Sequence, residues 1–204
     1  MVLGLVLLGF GIAGSLYARS RRAAREREAT ARLCLEASRQ RDRLISAIQE
    51  YKQSLGFYPP DHVLCQAPLA VDAVTNQLLY ELLGTVHDVT NDAFIPSGFP
   101  QISAALVKEF FGTESIRNSV EQPEQSRHFL DAANTMAVSA VKREVPVGLI
   151  AIWPNWAGME ADLYPYFEVA SWRYNSSSPE HNVGGFDLWL EIRTSRTNIV
   201  VKNW

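Results

Sequence analysis

The first 55 residues constrain this chain more than any other feature. They contain no proline, and no charged side chain occurs before Arg19. The stretch from Val2 to Ala18 reads VLGLVLLGFGIAGSLYA. As a helix it would be roughly 26 Å long, close to the thickness of the hydrocarbon core of a bilayer. Tyr17 and Arg19 are residue types that settle at the membrane interface. We therefore predict that residues 1–18 form a transmembrane helical segment.

The alternatives for this segment are a cleaved signal peptide and a buried helix. A signal peptide carries basic residues before its apolar run and small residues at its cleavage site. No basic residue precedes Val2 in this sequence, and Leu16-Tyr17-Ala18 is a poor cleavage sequence. The composition of the segment therefore favours an anchor.

Small residues recur four positions apart within the apolar segment, as in Gly9 with Ala13 and Gly14 with Ala18. This spacing allows helices to approach each other closely in lipid. Glycine is also common in membrane helices in general. Together with the rest of the helix, the pattern predicts packing against copies of the same chain. The predicted packing residues are Leu5, Gly9, Gly11, Ile12 and Gly14.

The helix is predicted to continue to Leu55, because residues 20–55 contain neither Gly nor Pro and are rich in good helix formers. Gly56 then provides a helix C-cap, and Pro59-Pro60 prevents a restart. The result would be one helix of about 50 residues, roughly 75 Å long. A helix of this length is typical of a filament subunit, whereas an isolated globular domain does not need one.

An apolar stripe occupies one face of the second half of this helix, with spacings that alternate between three and four. Its members are Cys34, Ala37, Arg41, Leu44, Ile48, Tyr51 and Leu55, with Arg41 as the break. We predict that Leu44, Ile48, Tyr51 and Leu55 pack on a globular head, which is the part of the chain from residue 56 onward. The segment from Arg19 to Thr30 shows no such face and is expected to be solvated or packed between subunits.

Charge is distributed unevenly behind the formal net value of -3. Residues 19–43 contain nine Arg and four acidic residues, whereas residues 44–204 contain ten basic and eighteen acidic residues. A basic stem therefore carries an acidic head. An acidic head argues against nucleic acid as the main partner, because phosphate contacts need clustered positive charge.

Nothing in the sequence indicates a metal site or a catalytic centre. Cys34 and Cys65 form no CxxC pair, and the four histidines are scattered along the chain. If the head is periplasmic, a disulfide between Cys34 and Cys65 is an alternative that the sequence leaves undecided. No GxSxG, HExxH, P-loop or GxGxxG motif occurs. Asp187 is expected to bond a nearby turn rather than to act in catalysis. The five tryptophans are expected to close the faces and edges of a sheet.

The head is predicted to have a helical middle and a sheet at its end. The expected helices are Asp72–Leu83, Ile102–Phe111 and Gln125–Glu144, separated by loops rich in Asn, Pro and Gly. The expected strands are Gly148–Trp153, Phe167–Trp172, Phe186–Ile192 and Thr197–Val201. The predicted segments are 1–18, 19–55, a helical and loop region at 56–146, and an antiparallel sheet at 147–204. The predicted class is α+β, with a long N-terminal helix packed on a small C-terminal antiparallel sheet.

Two stretches of the chain resemble the type II secretion pseudopilins. The stretch YKQSLGFYPP at Tyr51–Pro60 is similar to their helix exit, and the stretch from Ser171 to Ile192 with Asn203-Trp204 resembles the ending of the major, or G-type, members. With the N-terminal helix, the resemblance covers about half of the chain. The matching residues are Tyr51, Gly56, Tyr58, Pro59, Trp172, Tyr174, Asp187, Leu188, Trp189 and Trp204.

The resemblance implies a pilin-like fold and a structural, non-enzymatic role. Such a subunit would belong to a type II secretion pseudopilus, which serves protein export across the outer membrane, or to a type IV pilus. Its partners would be copies of itself, the inner-membrane assembly machinery, and secreted proteins or minor pseudopilins. Its location would be the bacterial inner membrane with a periplasmic head, or an envelope filament.

Three departures from the family pattern bear on these expectations. Prepilins have a basic leader and a Glu at the fifth position of the mature chain, whereas no leader precedes Met1 here and position 5 is Leu5. The arginines at 19–27 follow the apolar segment, which by the positive-inside rule would hold the head in the cytoplasm. The G-type calcium loop corresponds here to Glu191–Asn198, which has a single carboxylate. We therefore expect no calcium and no other cofactor.

The competing class is a monomeric, membrane-anchored periplasmic binding or adaptor protein that does not polymerise. A membrane-tethered hydrolase is a third class, which the search for catalytic motifs does not favour. Electron microscopy separates the first two classes, since only a filament subunit forms thin fibres with a helical repeat.

Overall fold

The computed structural model describes residues 2–61, 76–131, 137–142, 145–152, 170–194 and 198–204. Side chains are described for 17–61, 76–131, 150–151, 170–194 and 198–204. The fold is α+β, with one long N-terminal helix and small, mainly antiparallel sheets.

Helix α1 runs without interruption from Val2 to Leu55, over 54 residues. It ends where the sequence predicts, because Gly56 takes a positive φ of 88° and its N–H donates to the carbonyl of Lys52 at 2.8 Å. A positive φ costs glycine little, which makes it suited to close a helix. The rise of an α-helix makes α1 roughly 81 Å long.

The buried face of α1 begins earlier than the apolar pattern predicts. The buried residues of α1 are Glu26, Ala29, Leu33, Ala37, Gln40, Leu44, Ala47, Ile48 and Tyr51. Packing therefore starts within Arg19–Thr30, where we expected no packed face. The pattern missed this because Glu26 and Gln40 are polar and Ala29 is small, so their burial leaves no hydrophobic signature.

The middle of the chain contains a sheet, so the prediction of a mainly helical region at 56–146 is wrong. Strands β1 (Thr85–Asp88), β2 (Ala93–Pro96), β3 (Ile102–Ser103) and β4 (Ser119–Val120) form it in the order β3-β2-β1-β4. A tight turn joins β1 and β2, in which the Asp88 carboxylate accepts from the N–H groups of Thr90 and Asn91. Asp and Asn stabilise such turns through their own side chains. The sequence VHDVTNDAF therefore encodes a hairpin that we did not recognise.

Two short helices accompany this sheet. Helix α2 is Leu78–Leu83, the part of the predicted helix Asp72–Leu83 that the structure bears out among the described residues. Helix α3 is Ala104–Phe111, shorter at its start than predicted because Ile102 and Ser103 form β3. The Ser103 hydroxyl accepts from the Leu106 N–H at 3.3 Å, and Gly112 closes α3 in the left-handed conformation. Both are standard helix caps.

The predicted helix Gln125–Glu144 is wrong. A 3₁₀ turn covers Pro123–Gln125, and strand β5 covers Ala137–Lys142. Strand β5 pairs with β6 (Val145–Ile152) in antiparallel register, with Val138 opposite Leu149. The apolar residues in this stretch fit either the helical period or the strand period. Pairing with β6 made it a strand, and a local pattern does not reveal such pairing.

The C-terminal strands follow the prediction more closely. Strand β6 contains the described part of the predicted strand Gly148–Trp153, and β7 (Ala170–Ser171) pairs with β6. Strands β8 (Arg173–Asn175), β9 (Asp187–Arg193) and β10 (Asn198–Lys202) form a separate antiparallel sheet in the order β10-β9-β8. The apolar face predicted for β9 is buried, as shown by Phe186, Leu188, Leu190 and Ile192.

One hydrophobic core joins the long helix to the head. It contains the buried face of α1, all of α2 except its glutamate, and the inner faces of β8 and β9. The predicted packing residues Leu44, Ile48 and Tyr51 are buried in this core, and Leu55 packs against it at the helix end. The part of α1 from Glu26 onward therefore packs on the head along one face.

Candidate functional site: the long helix and its motif cluster

The two stretches that resemble pseudopilins meet at the exit of α1. The Tyr174 hydroxyl on β8 donates to the carbonyl oxygen of Pro59 at 2.9 Å, although the residues are 115 positions apart. The Ser176 hydroxyl donates to the same carbonyl at 2.8 Å. The rings of Tyr58 and Tyr174 both pack on Phe186, with centroids 5.4 Å and 5.9 Å away. The chain leaving the helix is thus fixed to the last sheet.

Asp61 completes this junction and was not identified from the sequence. Its carboxylate Oδ2 accepts from the N–H groups of Ser176 and Ser177, each at 2.8 Å, and from the Ser177 hydroxyl at 2.9 Å. A carboxylate with several N–H partners holds a turn firmly, because charge-assisted hydrogen bonds are the stronger ones. The signal in the sequence was an acidic residue directly after Pro59-Pro60 and a distant serine run. Their proximity is a tertiary property.

Asp187 holds the loop between β8 and β9, and the prediction that it bonds a nearby turn is confirmed. Its carboxylate accepts from the N–H groups of Glu180 at 2.7 Å, His181 at 3.0 Å and Asn182 at 2.9 Å. Burial raises the pKa of Asp187, but these hydrogen bonds outweigh it, so that the net pKa is below its usual value. The carboxylate is therefore held in its ionised form and is occupied by backbone donors.

Side-chain contacts hold Asn203 and Trp204 against the same sheet. The side-chain amide of Asn203 accepts from the Leu188 N–H at 3.0 Å and donates to the Phe186 carbonyl at 2.9 Å. The ring of Trp204 stacks on His181 at a centroid distance of 4.0 Å and contacts Trp189 edge-on at 5.8 Å. Trp204 therefore covers the outside of the Asp187 loop. For Trp189 and Trp204 this agrees with our expectation that the tryptophans close the faces and edges of the sheet, whereas Trp153 and Trp156 lie outside the described residues.

A buried tryptophan connects α1 to both C-terminal sheets. The indole N–H of Trp172 donates to the Gln40 side-chain oxygen at 2.7 Å, and the Gln40 amide donates to the carbonyl of Ala151 at 3.3 Å. Gln40 is only 4% exposed. A buried polar side chain with both ends satisfied fixes the rotation of α1 relative to the sheets. Gln40 was assigned no role from the sequence because polar residues on a helix are usually solvated.

A buried carboxylate forms the second polar connection between α1 and the head. Glu81 on α2 is fully buried and accepts from the Tyr51 hydroxyl at 2.8 Å and from the Gln77 amide at 2.9 Å. It also accepts from the backbone N–H groups of Arg117 and Asn118, each at 2.8 Å. Burial raises the pKa of Glu81 above its usual value, and these hydrogen bonds only partly offset the shift. This group links α1, α2 and the start of β4.

The exposed part of α1 lies before the head. From Tyr17 to Arg25 the helix is exposed, with only Ala23 half-buried. The residues predicted to pack in a filament, Leu5, Gly9, Gly11, Ile12 and Gly14, lie outside those whose side chains are described. Among the described residues, no helix is long and apolar enough to cross a membrane.

Within the part of the chain that the structure describes, no group of three or more His, Cys, Asp or Glu side chains could hold a metal ion. Glu191, the one carboxylate in the stretch compared with a calcium loop, forms an ion pair with Arg173 at 2.8 Å. Cys34 carries a free, half-buried thiol whose pKa is raised by burial. Cys65 lies outside the described residues.

Comparison with known proteins adds no relative. No family model matches the chain, and neither the curated proteins nor the solved structures contain a match.

Proposed function

We propose that this chain is a structural subunit of a pilin-like filament, of the kind formed by type II secretion pseudopili or type IV pili. The observation that carries the proposal is the build of α1. One uninterrupted helix of 54 residues is exposed from Tyr17 to Arg25 and packs on an α+β head from Glu26 onward. A helix of this length is not needed to complete the core of the head.

The rigid connection between helix and head supports the same role. A filament transmits force along its axis only if each head is fixed to its own helix. Two buried polar contacts, Tyr51 with Glu81 and Gln40 with Trp172, join α1 to different parts of the head. Buried polar contacts of this kind specify one relative orientation rather than many. The apolar core around Leu44 and Ile48 supplies the cohesion.

The motif cluster supports the family assignment on which the proposal depends. Its residues come from the helix exit and from the C-terminal strands, and they meet where Tyr174 bonds Pro59 and lies opposite Leu188, the neighbour of Asp187. A resemblance that is scattered in sequence but joined in space is less readily explained by chance. In this proposal the junction stabilises the head and has no catalytic part.

Assembly would be driven by the apolar segment Val2–Ala18. Copies of one subunit that pack head to tail without closing form open helical filaments. Close approach of the small residues at Gly11 and Gly14 would contribute packing between helices. The other partners would be the inner-membrane assembly machinery and, in a secretion system, exported proteins or minor pseudopilins.

Electron microscopy of the purified full-length protein tests this proposal. Under assembly conditions we expect thin filaments with a helical repeat. Gly11→Leu and Gly14→Leu should reduce filament number and length strongly, whereas Glu121→Leu, which adds a leucine at an exposed position of the head, should not. Circular dichroism should show all variants folded. Monodisperse monomers of the native protein would contradict the proposal and favour an anchored binding protein.

A further inference from the structure

A short segment of α1 just outside the head is rich in exposed basic side chains. Five arginines and two glutamates lie between residues 19 and 28. All five arginines are exposed. Glu26 is buried and forms an ion pair with Arg22 at 3.7 Å, and Glu28 forms one with Arg32 at 2.6 Å, so the segment keeps a net positive charge. We call these arginines the arginine collar: Arg19, Arg21, Arg22, Arg25 and Arg27.

The collar surrounds the helix instead of marking one face. At roughly 100° per residue, its five positions leave no gap wider than about 120° around the helix axis. A nucleic-acid duplex or a single globular partner contacts a rod from one side and would leave the opposite arginines unused. A ring of charge instead matches a medium that surrounds the helix on all sides.

The height of the collar also fits a lipid headgroup layer. From Arg19 to Arg27 the axial rise is about 12 Å, and arginine side chains can extend toward the charged layer from either direction. The headgroup region on one side of a bilayer is about 5–8 Å thick. The collar follows the apolar run Val2–Ala18 directly. Tyr17 lies at the boundary, with the Arg21 guanidinium over its ring at 5.0 Å.

The net charge of the head is of the sign that anionic lipid repels. The residues from 44 onward carry ten basic and eighteen acidic side chains, so the head has an excess of negative charge. An acidic head would be repelled by an anionic bilayer surface, while the collar would be attracted to it. The helix would then hold the head above the bilayer instead of letting it lie down.

From these observations we infer that the arginine collar binds the headgroups of anionic phospholipids in the leaflet that faces the head. This inference rests on the proposed role of Val2–Ala18 as a membrane anchor. Binding of the chain to membranes would therefore depend on lipid charge and on salt, and the assembly of filaments would draw on subunits held in anionic lipid. Basic residues beside a membrane segment contribute through the negative surface potential.

Flotation of the full-length protein with lipid vesicles tests the inference. Vesicles of phosphatidylcholine alone are compared with vesicles containing about 30% phosphatidylglycerol, a content that gives a strongly negative surface. We expect a partition coefficient more than 100-fold higher on the anionic vesicles, since each of the five arginines contributes about fivefold. This advantage should shrink as NaCl rises from about 0.05 M to about 0.5 M, because the Debye length falls.

A matched pair of triple variants assigns the effect to the collar. R19Q/R21Q/R27Q should lower partitioning onto anionic vesicles roughly 100-fold, about fivefold for each arginine, and leave neutral vesicles unaffected. R39Q/R43Q/R127Q removes the same charge from exposed positions outside the collar. Its nearest position, Arg39, lies about 18 Å beyond Arg27 along the helix, more than a Debye length at physiological salt, so its effect should be small.

The outcomes separate this inference from the proposed function. Equal flotation of the native protein on both vesicle types, or equal losses in the two triple variants, would overturn the lipid binding assigned to the collar. Either result would leave the proposed role of Val2–Ala18 as a membrane anchor intact. Failure to float with either vesicle type would overturn the anchor and the collar together. Tighter binding of a DNA duplex than of anionic vesicles, abolished by R19Q/R21Q/R27Q alone, would assign the collar to nucleic acid instead.

Discussion

The hydroxyl group of Tyr51 on the long helix donates a hydrogen bond of 2.8 Å to the carboxylate of Glu81 on α2, and both side chains are fully buried. The carboxylate has three further donors from Gln77, Arg117 and Asn118. The buried carboxylate of Glu81 thus connects α1 to α2 and to the segment that precedes β4. Loss of one partner leaves a buried polar group unsatisfied, which costs more than the hydrogen bond itself contributes.

Tyr51→Phe should therefore destabilise the head. We expect a loss of about 1.5–3 kcal/mol in the free energy of unfolding, the range for a hydrogen bond to a charged group. Urea denaturation followed by tryptophan fluorescence measures it. Tyr17→Phe is the matched control, because Tyr17 is 61% exposed, and it should stay within about 0.5 kcal/mol of the native protein. Equal midpoints for the two variants would contradict this role of the Tyr51 hydroxyl.

The raised pKa of Glu81 predicts the sign of a pH effect. Its pKa in the folded protein lies above the value of about 4.3 expected in the unfolded chain, because burial disfavours the anion. The folded state therefore binds this proton more tightly, and its contribution to stability falls as the pH rises from about 4.3 through the folded pKa.

Glu81→Gln removes this titration and serves as the comparison. The stability of the native protein minus that of Glu81→Gln should decrease as the pH rises through that window and level off above it. Urea denaturation of both proteins at a series of pH values gives the difference. A difference that grows with pH would show that the hydrogen bonds outweigh burial.

Asp187 should behave in the opposite way, because its pKa is lowered in the folded protein. Its contribution is present above the unfolded value of about 3.9 and is lost as the pH falls through the folded pKa. Asp187→Asn places an amide opposite three backbone N–H groups and should cost about 2 kcal/mol near neutral pH. The cost should diminish in acid.

Thermal unfolding at neutral and acidic pH measures the Asp187 effect. Asp42→Asn is the control, because the side chain of Asp42 is 66% exposed and its ion pair with Arg41 is at the surface. Such pairs contribute at most about 1 kcal/mol. A loss for Asp187→Asn that is as small as for this control would contradict the role assigned to the loop.

Two glycines with positive φ give a test of close packing. Gly84 has φ 72°, and a Cβ there would lie 2.5 Å from the Arg127 carbonyl oxygen and 2.6 Å from the Ser126 hydroxyl. Gly56 has φ 88° and would meet nothing within 4 Å. Gly56→Ala should therefore cost about 1–2 kcal/mol, from backbone conformation alone. Gly84→Ala should cost about 3 kcal/mol or more, because the backbone of residue 127 must move as well.

Urea denaturation of the two glycine variants compares these costs directly. Gly84 has ψ 134°, outside the left-handed helical region, so its larger cost combines backbone conformation with the steric contact. Equal losses would mean that the segment Ser126–Arg127 yields without penalty.

The long helix shows how far local pattern reaches. The run without Pro or Gly up to Leu55, the stop at Gly56 and the buried positions Leu44, Ile48 and Tyr51 all followed from the sequence. Helical hydrogen bonds join residues four apart, so propensity and periodicity within one segment suffice to predict them. The apolar face of β9 was predicted for the same reason, since alternation along one strand reveals it.

The middle of the chain shows where local pattern fails. The stretch Ala137–Lys142 has small and branched apolar residues that suit a helix face or a strand, and it became a strand because β6 pairs with it. The hairpin at Thr85–Pro96 depends on the Asp88 turn, which we read as a loop. In both places the competing structures differ little in local free energy, and a partner strand decides.

The sequence by itself determined the rod, its charge collar and the alternation of the last strands, because each of these is a property of neighbours along one element. Only the tertiary structure decided that Gln40 meets Trp172 across 132 positions, that Tyr51 meets Glu81 across 30, and that Asp61 joins the serine run. These contacts depend on where separate elements come to lie. Their donors and acceptors have no periodicity, and burial gives them their strength only after the core has formed.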